Sequence, residues 1–247
     1  MKKIQRSYGW VPDVPDQRDY LYSAIRPVVR LPRKVDLREG CSIVEDQGNL
    51  GSCTAQALAG NLEFLDKKAD LSYVDVSRLF IYYNERLAIN TVEYDSGAML
   101  RDGIKTLREY GSCLESSWPY IIERFTRKPP VKCYTEAKEH CIESYHRITR
   151  LTEMLACLAE GYPFVFGFTV YESFESQKVA HTGVADMPGK DERVLGGHAV
   201  MAAGFDQSTK RFLVRNSWGT DWGKDGYFTM PYEYLETLAD DFWTIRR

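Results

Sequence analysis

Apolar positions recur at three- and four-residue steps from residue 53 onward. Ala57, Leu58, Leu62 and Leu65 form one such stripe, and the spacing predicts a helix from Cys53 to about Lys68. VSRLFIYYNERLAI predicts a second helix, with Ser77 placed to cap it. DSGAMLRDGIKTLREYG predicts a third, closed by Gly111 just beyond its C-terminus. LTEMLACLAEGYP predicts a fourth, with Leu151, Leu155 and Leu158 as its stripe and Gly161 and Pro163 as its stop. All four stripes read as core packing. The pattern then changes. FVFGFTVY, GGHAVMAAGFD, RFLVRNSWG, GYFTM and DDFWTI are short β-rich runs separated by turn segments such as DQSTK. Helices first and antiparallel strands afterwards is the α+β order. There is no internal repeat and no low-complexity tract.

Residues 1 to about 33 differ from both parts. Pro12, Pro15, Pro27 and Pro32 are interleaved with aspartates and aromatics, a density that favours extended chain over helix. Tyr8, Trp10, Tyr20 and Tyr22 are too many aromatics for a plain linker, so this segment reads as an arm that docks on something. We expect Trp10, Tyr20 and Tyr22 to be its anchors.

Composition narrows the class. The chain has 247 residues, enough for one large domain or two packed halves. Its formal net charge is −3 and its basic residues are scattered, so nothing points to nucleic acid. No apolar run approaches the length of a membrane span, and the start MKKIQRSYGWVPDVPD has no apolar region of a secretory signal. A cytoplasmic location, or export without a visible signal, is the expectation.

The six cysteines are Cys41, Cys53, Cys113, Cys133, Cys141 and Cys157. A chain of this size does not need disulfides to fold, and no C-x-x-C occurs. KCYTEAKEHC brings Cys133, His140 and Cys141 together, but the spacing fits no common zinc pattern, so no metal is expected. The segment reads as helical. Cys53 differs from the rest. It follows the turn QGNLGS and opens a helix, where unpaired N–H groups and the positive end of the helix dipole stabilise a thiolate. A thiol nucleophile also needs a base and a group to orient it. His140 and His146 lie in a charged, helix-like stretch, and His181 in a loop-like one. His198 follows two glycines and opens the apolar strand HAVMAAGF. A hairpin through DQSTK would bring Asn216 beside it, with Trp218 covering the pair.

At these residues the chain resembles the papain family (C1-type) of cysteine peptidases. QGNLGSC, GGHAV and NSWGTDWGKDGYF occur in the family's order, and His198 and Asn216 follow Cys53 by 145 and 163 residues. The resemblance covers about residues 31–247. It implies an α+β, two-lobed papain-like fold, with a helical lobe, an antiparallel β-barrel-like lobe and the active site in the cleft between them. The chain would divide into an arm at 1–33, a helical lobe at 34–145 carrying the nucleophile, and a β lobe at 146–247 carrying the histidine and asparagine. The resemblance implies Cys53 as nucleophile, His198 as general base and then acid, Asn216 as its orienter, and Gln47 with the Cys53 N–H as oxyanion donors. It lays Gly51, Ser52, Ser96, Gly97, Gly197, Ala199 and Trp218 along the substrate cleft. It puts Asp240 or Asp241 at the floor of the pocket for the side chain two residues before the cut; the plainer alternative is a solvated acidic pair. Cys53 and His198 are expected as a thiolate–imidazolium pair.

The pattern also departs from the family. Leu50 stands where a half-cystine is usual, and YDSGAML stands at its partner's Gly-Gly segment, so that disulfide should be absent. Thr54 replaces the usual tryptophan after the nucleophile, which marks a divergent, bacterial-type branch. The helical prosegment is missing and the arm stands in its place. The five remaining cysteines are expected to be mostly reduced. The reading is therefore a monomeric cysteine endopeptidase without cofactor, acting on peptide or protein in the interlobe cleft. An acyltransferase of the same chemistry, or a binding protein on the same fold, are its alternatives. The arm is either a brake on the cleft or a strap that only ties the halves together.

Overall fold

The computed structural model describes residues 6–25, 30–69 and 74–247. Pro27 and the first five residues, which the sequence reading assigned to the arm, lie outside the described residues. In chain order the main elements are β1 (Lys34–Asp36), α1 (Cys53–Lys68), α2 (Arg78–Ala88), α3 (Leu100–Glu109), α4 (Val131–Ala137), β2 (Ser144–Arg147), α5 (Leu151–Ala159), β3 (Phe164–Tyr171), α6 (Gln177–Thr182), β4 (Val194–Asp206), β5 (Arg211–Arg215), β6 (Tyr227–Pro231), α7 (Tyr232–Leu238) and β7 (Ala239–Arg246). This is the expected α+β architecture of a papain-like fold.

The strands form one antiparallel sheet in the order β2-β7-β3-β4-β5-β6, with β1 paired to the far end of β4. β4 is its spine. Side chains alternate across a strand, so Val200 and Ala202 face one way and Ala199, Met201 and Ala203 the other. The first set packs with Phe164, Phe166, Phe168, Phe212 and Phe228 under α5 and α7. The second packs against Leu58 and Leu62 of α1 and Leu79 of α2. Both faces are buried, which is why β4 reads as a continuous apolar run rather than an alternating one.

Most elements fall where the periodicity puts them, and Ser77 caps α2 by accepting from the Phe80 N–H at 3.1 Å. Three expectations are corrected. The third helix begins at Leu100, not near Asp95, because residues 95–98 are drawn out as a partner for the arm: the Ala98 N–H donates to Gly9 O at 2.8 Å. His146 lies on strand β2, where pairing with β7 overrides the local helical look. His181 lies on α6, whose six residues are too few to show a helical period; Ser176 caps it and Gly183, at φ +63°, ends it.

The arm runs along the domain. Tyr22 is fully buried and donates to Glu160 Oε2 at 2.8 Å. Trp10 is half-buried in a slot of backbone, where a side chain at Gly167 would meet the indole at 1.9 Å. Tyr20 is not an anchor: it is 58% exposed, with only edge contacts to Tyr145 and His146. Further along, the Asp13 carboxylate accepts from the Trp243 indole at 2.8 Å and from the Arg101 N–H at 3.1 Å. Arg101 also pairs with Asp19 at 2.6 Å.

Candidate active site

Cys53 is the first residue of α1 and is fully buried. His198 and Asn216 approach it from the sheet. The β4–β5 pairing brings the ends of the two strands together, and the imidazole Nε2 meets Asn216 Oδ1 at 2.8 Å. The other imidazole nitrogen, Nδ1, has no hydrogen-bond partner among the described residues. Trp218 stacks on the imidazole at 5.0 Å and 28°, and Phe168 meets it edge-on at 5.7 Å. These rings keep water off the amide–imidazole bond, which a solvated pair would lose to competition. Asn216 Oδ1 also accepts from the Ser217 N–H at 2.9 Å, which fixes the amide.

Gln47 is held from three sides. Its N–H donates to Ser217 O at 2.9 Å, its Oε1 accepts from Ser217 Oγ at 2.6 Å, and its Nε2 donates to Leu50 O at 2.9 Å. The amide Nε2 also donates to Ser7 O of the arm, at 3.2 Å.

The arm lies directly over these groups. The Trp10 N–H donates to Gly197 O on one wall of the cleft, and the Val11 N–H to Ala98 O on the other, both at 3.0 Å. Tyr8 sits edge-on to His198 at 6.1 Å, and the Arg6 guanidinium lies over Trp218 at 4.8 Å. Gly97 has to be glycine here: its φ is +69°, and a Cβ would stand 2.1 Å from Gly9 O.

Burial of the site works against the expected ion pair. Desolvation pushes the Cys53 thiol up to about 11, although the N–H groups of Ala199, Gly9 and Thr54 facing the sulfur pull the other way. Desolvation pushes His198 down to about 4 against the raising effect of Asn216, with the Arg6 charge adding to the fall. With the arm seated, the neutral thiol and neutral imidazole are the favoured forms.

The other expected cleft residues divide. Gly51, Gly97, Gly197 and Trp218 line the path of the arm, while Ala199 faces the Cys53 sulfur with its backbone N–H and packs its side chain in the core. Ser52 turns away, its hydroxyl 2.6 Å from Tyr120 OH, and Ser96 is exposed and bonded to Thr91. Asp241 is buried at the end of the Trp10 slot and accepts from the indole N–H at 3.1 Å and from the Asp13 N–H at 2.7 Å. Asp240 does not reach the slot; its carboxylate is mostly solvated and pairs with Arg147 at 3.0 Å. His140 bonds Asp66 at 3.2 Å, and all six cysteines are free thiols. The sequence reading missed Asp95, Tyr82 and Arg147. Each sits on an unremarkable stretch, and only their partners from distant segments give them a place.

Comparison with known proteins agrees with this geometry. The model of the papain family of cysteine proteases matches residues 31–237. The chain belongs to the papain family of cysteine proteases. It is 42% identical to an uncharacterized peptidase C1-like protein, L477, of Acanthamoeba polyphaga mimivirus, over 98% of this chain and 88% of that one. Cysteine proteinase 1 of Entamoeba histolytica is 28% identical over 83% of this chain and 65% of its own. Among solved structures, xylellain, a cysteine protease from Xylella fastidiosa, superposes with a TM-score of 0.91 at 42% identity, covering 100% of this chain and 98% of that one. Digestive procathepsin L 3 of Tenebrio molitor, at 15% identity and a TM-score of 0.74 over 99% of this chain and 77% of its own, shares the fold. Among the described residues of this papain-family chain, no helix is long and apolar enough to cross a membrane.

Proposed function

We propose that this cysteine protease is an endopeptidase working as a monomer, with its arm as a brake. The observation that carries the reading is the arm's own seat. An extended peptide pairs with Gly197 on one wall and Ala98 on the other, and presents a carbonyl to Gln47 Nε2 beside Cys53. A substrate peptide would use the same backbone bonds. The arm enters at Arg6 and leaves past Asp13. A peptide that lies on both sides of Cys53 suits cleavage within a chain. Both walls come from one chain, the stretch 34–145 and the stretch 146–247, so a single copy suffices.

In the mechanism, the Cys53 thiolate attacks the scissile carbonyl carbon, and the carbonyl π electrons move to oxygen. Gln47 Nε2 and the Cys53 N–H bind that oxyanion, each such donor contributing about 3 kcal/mol. His198, holding the thiol's proton, delivers it to the leaving amine as the C–N bond breaks. Water, deprotonated by His198, then hydrolyses the thioester. Asn216 keeps Nε2–H fixed, which leaves Nδ1 as the nitrogen that exchanges the proton. Before this can start, the arm must leave, which returns solvent to the site and removes the desolvation that favours its neutral form.

Two variants test the reading. Cys53→Ala should abolish hydrolysis of a fluorogenic peptide without unfolding the chain; retained turnover would end the catalytic assignment. Deleting residues 2–9 removes the segment over Cys53 and leaves the Asp13 and Asp19 contacts in place. The brake predicts at least about tenfold higher kcat/KM and faster labelling of Cys53 by an epoxide inhibitor. A strap predicts neither, only a lower Tm.

A further inference from the structure

Gly51 N–H and Gly97 N–H lie outside every helix and strand, one on the nucleophile's turn and one on the segment that pairs with the arm. Each is tied to one of two side chains that bond each other. The Gly51 N–H donates to both oxygens of Asp95, at 3.1 and 3.0 Å. The Gly97 N–H donates to Tyr82 OH at 3.2 Å, and that hydroxyl donates in turn to Asp95 Oδ1. Tyr82 stands on α2 and is fully buried. One turn further along, the Arg86 guanidinium lies 4.2 Å over its ring. Arg86, also fully buried, donates to Val92 O at 2.8 Å and Tyr94 O at 3.0 Å, and so holds the loop that presents Asp95. No disulfide shares this task, since every cysteine is free.

We propose that Asp95 and Tyr82 are positioning residues, a hydrogen-bond clamp that fixes the turn before Cys53 against the peptide-pairing segment at Gly97 and Ala98. The inference rests on the proposed role of Cys53 as nucleophile. That reaction needs sulfur and carbonyl carbon held in register, and a misplacement of about 1 Å is enough to cost on the order of 10² in rate. The sulfur is placed by α1 and its turn. The carbonyl is placed by backbone bonds to Ala98. The two belong to separate segments, and the chain Gly97–Tyr82–Asp95–Gly51 joins them. Each half of the clamp has its own work. Asp95, at the exposed rim, holds the nucleophile's turn by hydrogen bonds to a buried N–H. Tyr82 holds the substrate segment from inside.

The test uses the full-length chain with Asp95→Ala, Asp95→Asn and Tyr82→Phe. Three quantities are read: kcat and KM on a fluorogenic peptide, amide hydrogen exchange at Gly51 and Gly97, and Tm. Asp95→Ala should speed Gly51 exchange and lower kcat, each about tenfold. Asp95→Asn keeps an acceptor oxygen and should recover most of both. Tyr82→Phe should speed exchange at Gly97 and raise KM more than it lowers kcat. Gly51 exchange and kcat within about twofold of wild type in Asp95→Ala would overturn the proposal. So would losses in Asp95→Asn as large as in Asp95→Ala, since they would track the charge rather than the bond. Should Asp95→Ala not fold, the other two variants decide. Exchange needs no turnover, so a chain inactive on peptides even after deletion of residues 2–9 would defeat the peptidase reading while leaving the clamp measurable.

Discussion

The two sides of the cleft solve the same positioning problem by different means. On the sheet side, His198 sits on β4 and Asn216 just past β5, and the ladder between those strands sets their separation. Around them is an apolar wall of Phe168, Phe174, Trp218 and Trp222. On the helical side, Cys53 hangs on a turn with no ladder, and side chains bonded to backbone do the work. That half also buries polar groups in its interior: Asn61, Glu63 and Asp66 on α1, and Glu85 and Arg86 on α2. Thr54 donates to Glu85 at 2.8 Å, and a Cβ at Gly103 would stand 2.3 Å from the same carboxyl. A ladder fixes geometry with the backbone and leaves side chains free to pack. A turn has to be fixed by side chains, and the buried acids of that half make it sensitive to pH.

The largest effect should come from opening the apolar wall. Phe168→Ala removes a fully buried ring that touches Phe174, Tyr234 and His198. It should cost about 3–5 kcal/mol and lower Tm by about 10 °C in a thermal melt. An unchanged melt would mean that the sheet side does not hold its histidine by packing. Asn216→Ala comes next. It frees the imidazole without touching the ladder, so kcat on a peptide should fall on the order of 10²-fold with KM nearly unmoved. If KM rises as much as kcat falls, Asn216 serves binding rather than orientation.

The smallest effect separates the two sides by pH. Burial raises Glu85 from 4.5 to about 8, and Glu63 to about 7. The folded chain therefore keeps protons that the unfolded chain releases above pH 4.5. These groups favour folding fully below that pH, and the contribution is lost as pH rises towards 7 and 8. Glu85→Gln mimics the neutral acid. Urea unfolding at pH 5, 6.5 and 8 should show a shallower loss of stability than in wild type, and equal slopes would show that Glu85 is not held as a neutral acid.

Much of this was legible beforehand, and the reasons are specific. Leu58, Leu62 and Leu65 announce α1 because a buried helix face repeats at its own period. Val200 to Phe205 announce β4 because a strand covered on both faces is apolar throughout. Cys53 was legible because it opens α1 and Asn216 because it follows β5, while His198 was legible from the two glycines before it, although it lies inside β4 rather than at its start. α6 and β2 were not, since six and four residues show no period of either kind. Asp240 and Asp241 could not be told apart either. The two are adjacent in sequence, yet backbone at φ +57° turns Asp241 inward to Trp10 while Asp240 stays with solvent.

The sequence by itself determined the main helices and strands, the candidate set Cys53, His198, Asn216 and Gln47, and the existence of a docking arm. These follow from local periodicity and from chemistry that needs particular residue types. Only the tertiary structure decided that the arm lies over Cys53, that burial there favours the neutral thiol and imidazole, and that Asp95 and Tyr82 join Gly51 to Gly97. Each of these depends on contacts between segments far apart in the chain. A hydrogen bond or a loss of hydration belongs to the pair that meets, and neither partner's own stretch of sequence carries a sign of it.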